Sequence, residues 1–173
     1  MTSTPSDTGL YIHIPFCRQK CPYCGFYSVP LADTSPEHLI TALLKEIDMY
    51  YLAEPTETIY IGGGSPTCLP PKLLLRLLRA LYQRFGDVKE FTVECNPAQV
   101  NKKLFEEFRT AGVNRISIGA QSFDADELTT LERLHNPEEI TAAVRAAREA
   151  GFQNIGLDLI FGLPDSNTRV WQS

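Results

Sequence analysis

Residues 111–121, AGVNRISIGAQ, end a helical run at Ala111-Gly112 and turn at once into a β-branched strand; residues 150–161, AGFQNIGLDLIF, repeat the layout. In both, glycine stands where a helix wants a left-handed cap, and the residues after it alternate with the period of a strand. Working outward, the same alternation marks strands over Leu10–Ile14, Thr58–Gly62 and Glu90–Glu94, beside Arg115–Gln121 and Asn154–Phe161. Helix-period segments fill the intervals. Ser35-Pro36 opens one with Leu39, Leu43, Leu44 and Ile47 on its apolar stripe, and Pro70-Pro71 opens another with Leu73, Leu74, Leu77, Leu78 and Leu81. A third carries Leu104, Phe105 and Phe108; Asn136-Pro137 starts a fourth with Ile140, Ala143, Val144 and Ala147 inward. Gly86 caps the second as Gly112 and Gly151 cap the others. A βα array of this kind is a parallel α/β fold.

Composition agrees with a folded core and removes several classes of function. Of 173 residues, 43% are hydrophobic and 21% charged, which is ordinary globular usage. A formal charge of −5 argues against a polyanion-binding surface, so no nucleic acid is expected. No apolar run is long enough to span a bilayer, and residues 1–9, MTSTPSDTG, lack the basic and apolar blocks of a signal peptide, so a cytoplasmic protein is expected. That Ser/Thr/Pro-rich tail is expected to be disordered.

Successive strand residues point to opposite faces, so the two faces of the sheet are read separately. One is apolar: Leu10, Ile12, Ile14; Ile59, Ile61; Phe91, Val93; Ile116, Ile118; Ile155, Leu157, Leu159, Phe161. It is expected to pack under the helices. The other reads Tyr11, His13; Tyr60, Gly62; Thr92, Glu94; Ser117, Gly119, Gln121; Gly156, Asp158. An ordinary closed barrel fills that face with Val, Ile and Leu. Here it stays polar and roomy, as a ligand-holding interior would. Parallel strands place sites at their C-terminal ends, where Cys17, Gly62–Gly64, Glu94 and Gln121 all fall.

Cys17, Cys21 and Cys24 form C-x3-C-x2-C directly after the first strand, in YIHIPFCRQKCPYCGF. Three thiolates on one loop suit three irons of a cubane cluster, and with no fourth cysteine nearby one iron is left for another ligand. The alternatives are a structural zinc site, which wants a fourth Cys or His, or three buried thiols without a metal. Gly62-Gly63-Gly64 lets a ligand approach backbone closely and offers N–H groups to a carboxylate; otherwise it is a tight βα turn. Glu94, Gln121 and Asp158 lie on the inner face of three strands, where unpaired polar groups are costly, so they form either a hydrogen-bond network or a site. Tyr11 and Tyr23 serve as packing or contact. His13 reads as a satisfied core imidazole, and Cys68 and Cys95 as small buried hydrophobes.

These residues resemble the radical SAM superfamily, whose C-x3-C-x2-C loop binds a 4Fe-4S cluster with an open iron. YIHIPFC, IGGGSPT (61–67), VECNP (93–97), ISIGAQSF (116–123), LERLH (131–135) and LDLIFGLPD (157–165) extend the likeness to the oxygen-independent coproporphyrinogen III oxidase family and its HemW-type heme chaperone relatives. The resemblance implies Cys17, Cys21 and Cys24 as cluster ligands. It implies S-adenosyl-L-methionine on the open iron, whose sulfonium one electron cleaves to methionine and a 5′-deoxyadenosyl radical. It assigns Gly63, Gly64 and Ser65 to the methionyl end of that cofactor, and Tyr11, Tyr23, Glu94, Gln121, Arg133 and Asp158 to its cavity. Glu132 stands where the family usually has glycine, Ser65 where it usually has threonine, and Gly25 where it usually has aspartate.

Within the family, the oxidases carry a fourth cysteine two residues after the third and an N-terminal arm before the first strand. Phe26 occupies that position and only the short tail precedes Tyr11, so the likeness is nearer to the heme chaperones. Heme binding and transfer is therefore the expected role, with an electron donor and a heme-accepting protein as partners. Oxidative decarboxylation of porphyrinogen propionates is the alternative, and a zinc-stabilised interaction module a distant one. No catalytic residue is assigned. The family's barrel has six βα units followed by a C-terminal domain. Residues 10–173 are thus expected to form a partial (β/α) TIM-like barrel of the radical SAM type, truncated after about five units, with Thr168–Ser173 opening the next helix.

Overall fold

The computed structural model describes residues 8–33, 35–49 and 56–164. In chain order it holds β1 (Gly9–Ile14), β2 (Phe16–Cys17), β3 (Val29–Pro30), α1 (Pro36–Met49), β4 (Thr58–Gly63), α2 (Pro71–Phe85), β5 (Glu90–Cys95), α3 (Lys102–Thr110), β6 (Arg115–Gln121), α4 (Ala125–Thr130), α5 (Pro137–Glu149) and β7 (Asn154–Leu159). The tail expected at 1–9 lies outside the described residues up to residue 7, as do Asp165 and the helix opening expected at 168–173. Gly9, by contrast, already belongs to β1, paired with Thr58.

The strands form one parallel sheet in the order β1-β4-β5-β6-β7, each joined to the next through helical crossovers. Parallel neighbours need such connections. The apolar face behaves as its alternation demands: Ile14, Ile59, Ile61, Phe91, Val93, Ile116 and Ile118 are completely buried. Against them pack Ile40 of α1, Leu74, Leu77, Leu78 and Leu81 of α2, Phe105 and Phe108 of α3, and Ala147 of α5. Phe105 meets Phe108 and Phe152 edge-on, with centroids 6.1 and 5.9 Å apart. Burying one such side chain is worth about 1.5–3 kcal/mol, so this layer is what holds the sheet to its helices.

The helix ends carry the signals read from sequence. Gly86, Gly112 and Gly151 have φ of 70°, 88° and 92°. Asn136 and Glu139 close a capping box on α5, with Pro137 in its first turn.

Four features differ from expectation. Ile40, outside the expected stripe of α1, is its innermost residue together with Ile47, while Leu39, Leu43 and Leu44 flank them half-buried; the helix is rotated about its axis. The last strand ends at Leu159, two residues short of the expected Phe161, and its apolar face is not covered along its length: α5 shields Ile155, but among the described residues Leu157 and Leu159, and Phe161 beyond the strand, are exposed, Phe161 at 81%. Helix α4 and the β2–β3 pair were not expected. The inner face also holds Arg115, in register with Thr92 and Asn154, donating from Nη1 to Thr92 Oγ1 at 3.2 Å and pairing with Glu90 at 3.7 Å. Gly156 makes room for it, because a Cβ there would stand 3.2 Å from Arg115 Nη2. No helix among the described residues is long and apolar enough to cross a membrane.

Candidate cofactor site

The cysteine loop is held at both ends. Pro15 ends β1, β2 pairs with β3 across the loop, and the Val29 amide donates to the Pro15 carbonyl at 2.7 Å. Between them Cys21-Pro22-Tyr23-Cys24 makes a turn, with the Cys24 amide donating to Cys21 O at 3.1 Å. From the neighbouring strand, Gly64 N donates to Ile14 O and Ser65 N to Phe16 O, both at 2.8 Å. These bonds press the glycine run against the first cysteine. A Cβ on Gly64 would lie 2.6 Å from Phe16 O and 2.9 Å from Cys17 Sγ, so no larger residue fits unless the loop moves. Gly63 sits at φ 118°, in the region that L side chains avoid.

The run therefore works differently from the expectation of free N–H donors. Gly63 N donates to Glu94 Oε2 at 3.2 Å, and the Gly64 and Ser65 amides are spent on β1 and β2. What these residues contribute is closeness. The same holds at Gly62, where a Cβ would meet the Glu94 carboxylate at 2.9 Å. Ser65 Oγ and Thr67 Oγ1 both donate to Gln99 Oε1 at 2.9 Å, fixing the far side of the loop after β4.

Behind the loop opens a cavity of about 430 Å³. Cys17, Cys21 and Cys24 line it together with Tyr23, Gly63, Gly64, Ser65, Glu94, Gln121, Arg133 and Asp158, so eleven of the twelve residues singled out in the sequence meet at one place. Tyr11 does not. Its ring is 57% exposed and it stacks on Tyr60, which takes the cavity wall in its stead. Tyr60, Asn96, Gln99 and Ile160 also line the cavity and were not singled out as contacts; the alternation already puts Tyr60 on the inner face, Asn96 and Ile160 lie inside quoted motifs, and nothing in the spacing marks Gln99.

Glu94 is the best-held acid of the site. Tyr60 donates to its Oε1 at 2.7 Å and Gly63 to the other oxygen, yet burial keeps its carboxyl above the usual range. Asp158 accepts from Ser117 Oγ at 3.3 Å. Arg133 reaches across from the segment after α4: Nη2 donates to Gly119 O at 2.9 Å, and Nη1 to Tyr23 OH at 3.3 Å and Cys21 Sγ at 3.5 Å. Burial pushes the Tyr23 phenol up to about 12. Arg133 is aimed by the end of α4, where Arg133 N donates to Leu128 O and Glu132 N to Thr129 O, the two bonds of a Schellman turn. Glu132 occupies its left-handed position at φ 52°. His13 is held on both ring nitrogens, by Tyr11 and the Tyr27 carbonyl, but is only half-buried; His135 is the core imidazole. Cys68 and Cys95 are buried as expected, and burial pushes the Cys68 thiol up to about 12.

The donor set fits a cubane cluster and a polar organic ligand. The three thiols sit at the cavity rim beside Arg18, Lys20 and Arg133, cations suited to an anionic thiolate cluster. Burial raises the Cys17 thiol, with Cys24 and Cys21 adding to it, a cost that metal ligation removes. Among the described residues no three His, Cys, Asp or Glu side chains gather to hold one metal ion, whereas a cubane takes each thiolate on a different iron. Arg133 itself lines the cavity, and its Nε is buried without a hydrogen-bond partner.

Comparison with known proteins bears on the same residues. The family model of the radical SAM superfamily matches residues 11–172. The heme chaperone HemW of Escherichia coli is 41% identical over 164 residues, covering 91% of this chain and 43% of that protein. The heme chaperone HemW of Bacillus subtilis is 38% identical, covering 92% of this chain and 44% of its own. Among solved structures, the radical SAM enzyme coproporphyrinogen III oxidase (HemN) from Escherichia coli superimposes with a TM-score of 0.86 at 29% identity, over 97% of this chain and 40% of its own. The chain thus spans less than half the length of the relatives it matches.

Proposed function

The chain belongs to the radical SAM superfamily, and from that premise we propose that residues 10–173 are the cofactor-holding part of a heme chaperone. The family carries a 4Fe-4S cluster and S-adenosylmethionine, which supply one-electron cleavage of a sulfonium. In this reading Cys17, Cys21 and Cys24 ligate the cluster. Arg133 steadies it through Cys21 and borders the organic cofactor with its positive charge, while Gly64 keeps the backbone of the loop after β4 against Cys17. Gly63 and Ser65 border the methionyl end; Tyr23, Gln121, Glu94 and Asp158 line the rest of the cavity, the last two presenting negative charge to a sulfonium. Tyr11 supports that wall from outside through Tyr60.

The observation that carries the chaperone reading is the identity of 38–41% to proteins named as heme chaperones, in a chain with Phe26 where the oxidases carry a fourth cysteine. Its ligand is then heme, its partners an electron donor and a heme-accepting protein, and its compartment the cytoplasm. The superposition on HemN keeps oxidative decarboxylation of a porphyrinogen as the second reading. Titration of the anaerobically reconstituted protein with hemin, beside an assay of coproporphyrinogen decarboxylation, separates the two. The expected result is stoichiometric heme binding without carbon dioxide release. Catalytic decarboxylation would replace the chaperone reading with the enzyme.

A further inference from the structure

Gln99 lines the cavity beside Ser65, yet the cofactor reading gives it no part. Its carboxamide is oriented by hydrogen bonds that run in one direction. Asn96 N donates to Thr67 Oγ1 at 3.0 Å. Thr67 is 6% exposed, so its own hydroxyl proton needs an acceptor, and it goes to Gln99 Oε1 at 2.9 Å. Turning the carboxamide over would set an N–H group against that proton and leave it buried without a partner. Gln99 Oε1 therefore faces the loop after β4, where it also takes the Ser65 hydroxyl proton at 2.9 Å. The backbone beneath is fixed as well: Gln99 N donates to Asn96 O at 3.0 Å in the turn Pro97–Gln99, and Asn96 Oδ1 caps that turn by accepting from Ala98 N.

A hydroxyl has one proton to give and two lone pairs with which to accept. At Ser65 the proton is committed to Gln99, so on the cavity wall Oγ presents lone pairs and pairs with a donor. Serine lacks the second Cβ substituent that restricts χ1 in threonine, so the bond to Gln99, and not the side chain itself, sets the orientation. An α-amino acid end offers such a wall one N–H donor, its amino group, next to a carboxylate that only accepts.

We propose that Gln99 is a positioning residue: it polarises Ser65 as an acceptor, so that this wall of the cavity selects a ligand whose α-amino group is present and turned toward Ser65. The identity of the ligand rests on the cofactor reading, whereas the polarity of the wall follows from the hydrogen bonds alone. A hydroxyl held in advance in its accepting orientation has no rotational freedom left to lose when the ligand arrives, which is how a residue that donates nothing to the ligand strengthens its binding.

The test compares two ligands on the anaerobically reconstituted protein by equilibrium dialysis, without reductant so that neither is cleaved: S-adenosylmethionine, and its desamino analogue with hydrogen in place of the α-amino group. The wild-type protein is expected to prefer the first at least tenfold. Gln99→Met, which keeps the length of the side chain but gives up the strong acceptor, is expected to lower that preference at least fivefold through weaker binding of S-adenosylmethionine, with the analogue bound within twofold of wild type and the iron content unchanged. Gln99→Glu, which still accepts from both hydroxyls, is expected to keep the preference. Ser65→Ala leaves the bond between Thr67 and Gln99 in place and is expected to lower the preference by a factor similar to that of Gln99→Met, which keeps the proposal open to refutation should the methionine variant not fold. An unchanged preference in Gln99→Met or in Ser65→Ala, an equal loss for both ligands, or a preference lost in Gln99→Glu would overturn the role given to Gln99. A wild-type protein that binds neither ligand would remove the cofactor reading, and this proposal with it.

Discussion

Glu132 shows how a single position both departs from its family's usual choice and leaves the site intact. Its left-handed backbone at φ 52° is the conformation glycine adopts freely and other residues hold at a cost of about 1–2 kcal/mol. The two Schellman hydrogen bonds hold it there, and they aim Arg133 at Cys21 and Tyr23. Glu132→Gly is therefore expected to raise stability in urea unfolding by about 1 kcal/mol; a loss of stability would mean that the glutamate side chain contributes what its backbone costs. His135 makes a different prediction. Its Nε2 lies 2.9 Å from Ala120 O, Nδ1 is buried without a partner, and burial lowers its pKa below the ordinary value, against a smaller opposing pull from that hydrogen bond, with Arg133 and Glu139 as the nearby charges. The lowered group stabilises the fold fully above its unfolded pKa of about 6.5, and that stability is lost as pH falls through the folded value. His135→Gln, which retains a donor for Ala120 but does not titrate, is expected to flatten the acid side of a Tm-against-pH curve. An unchanged slope would place the acid sensitivity elsewhere.

At the scale of elements, the strands were legible because burial on one face writes itself as alternation. β6 has the expected bounds, β1, β4 and β5 each run one residue further than the alternation marked, and β7 stops two residues short of it. Helix α4 was not legible: its six residues hold one buried side chain, Leu128, and no repeat of it. Nor was the β2–β3 pair, which exists because a loop returns on itself. The glycine run was legible as a place of close backbone approach, but not the bonding of its amides, whose partners come from β1, β2 and β5 and which no local pattern names. Gln99 escaped for the same reason, since it reaches the cavity through packing, whereas alternation puts Tyr60 on the inner face without marking it as a contact. Gly64 gives the sharpest test of this account. Gly64→Ala puts a methyl group into Phe16 O and Cys17 Sγ, so cluster content after reconstitution, read by iron and sulfide analysis, is expected to fall severalfold while the far-ultraviolet circular dichroism of the helices persists. Full cluster content in that variant would show that the loop need not be held against β4.

For the whole molecule, the consequence of the fold is convergence. Five parallel strands bring a cysteine loop, a glycine turn, two acids, an amide and an arginine from separate parts of the chain to one end of the sheet, around a cavity of about 430 Å³. The polar inner face read from the alternation is real, and Arg115, Ser117 and Thr92 floor it with bonded groups rather than empty space. On the other face, Leu157, Leu159 and Phe161 leave an apolar edge at β7 that the described residues do not cover. In the proposed function the three thiols hold a cluster whose open iron takes the organic cofactor from this cavity. Electron paramagnetic resonance of the reduced, anaerobically reconstituted protein, recorded with and without S-adenosylmethionine, tests it most directly. A 4Fe-4S signal that shifts on adding the cofactor and is absent in Cys21→Ala is expected; a signal that S-adenosylmethionine leaves unmoved, or that survives the loss of Cys21, would mean that the three thiols do not hold such a cluster.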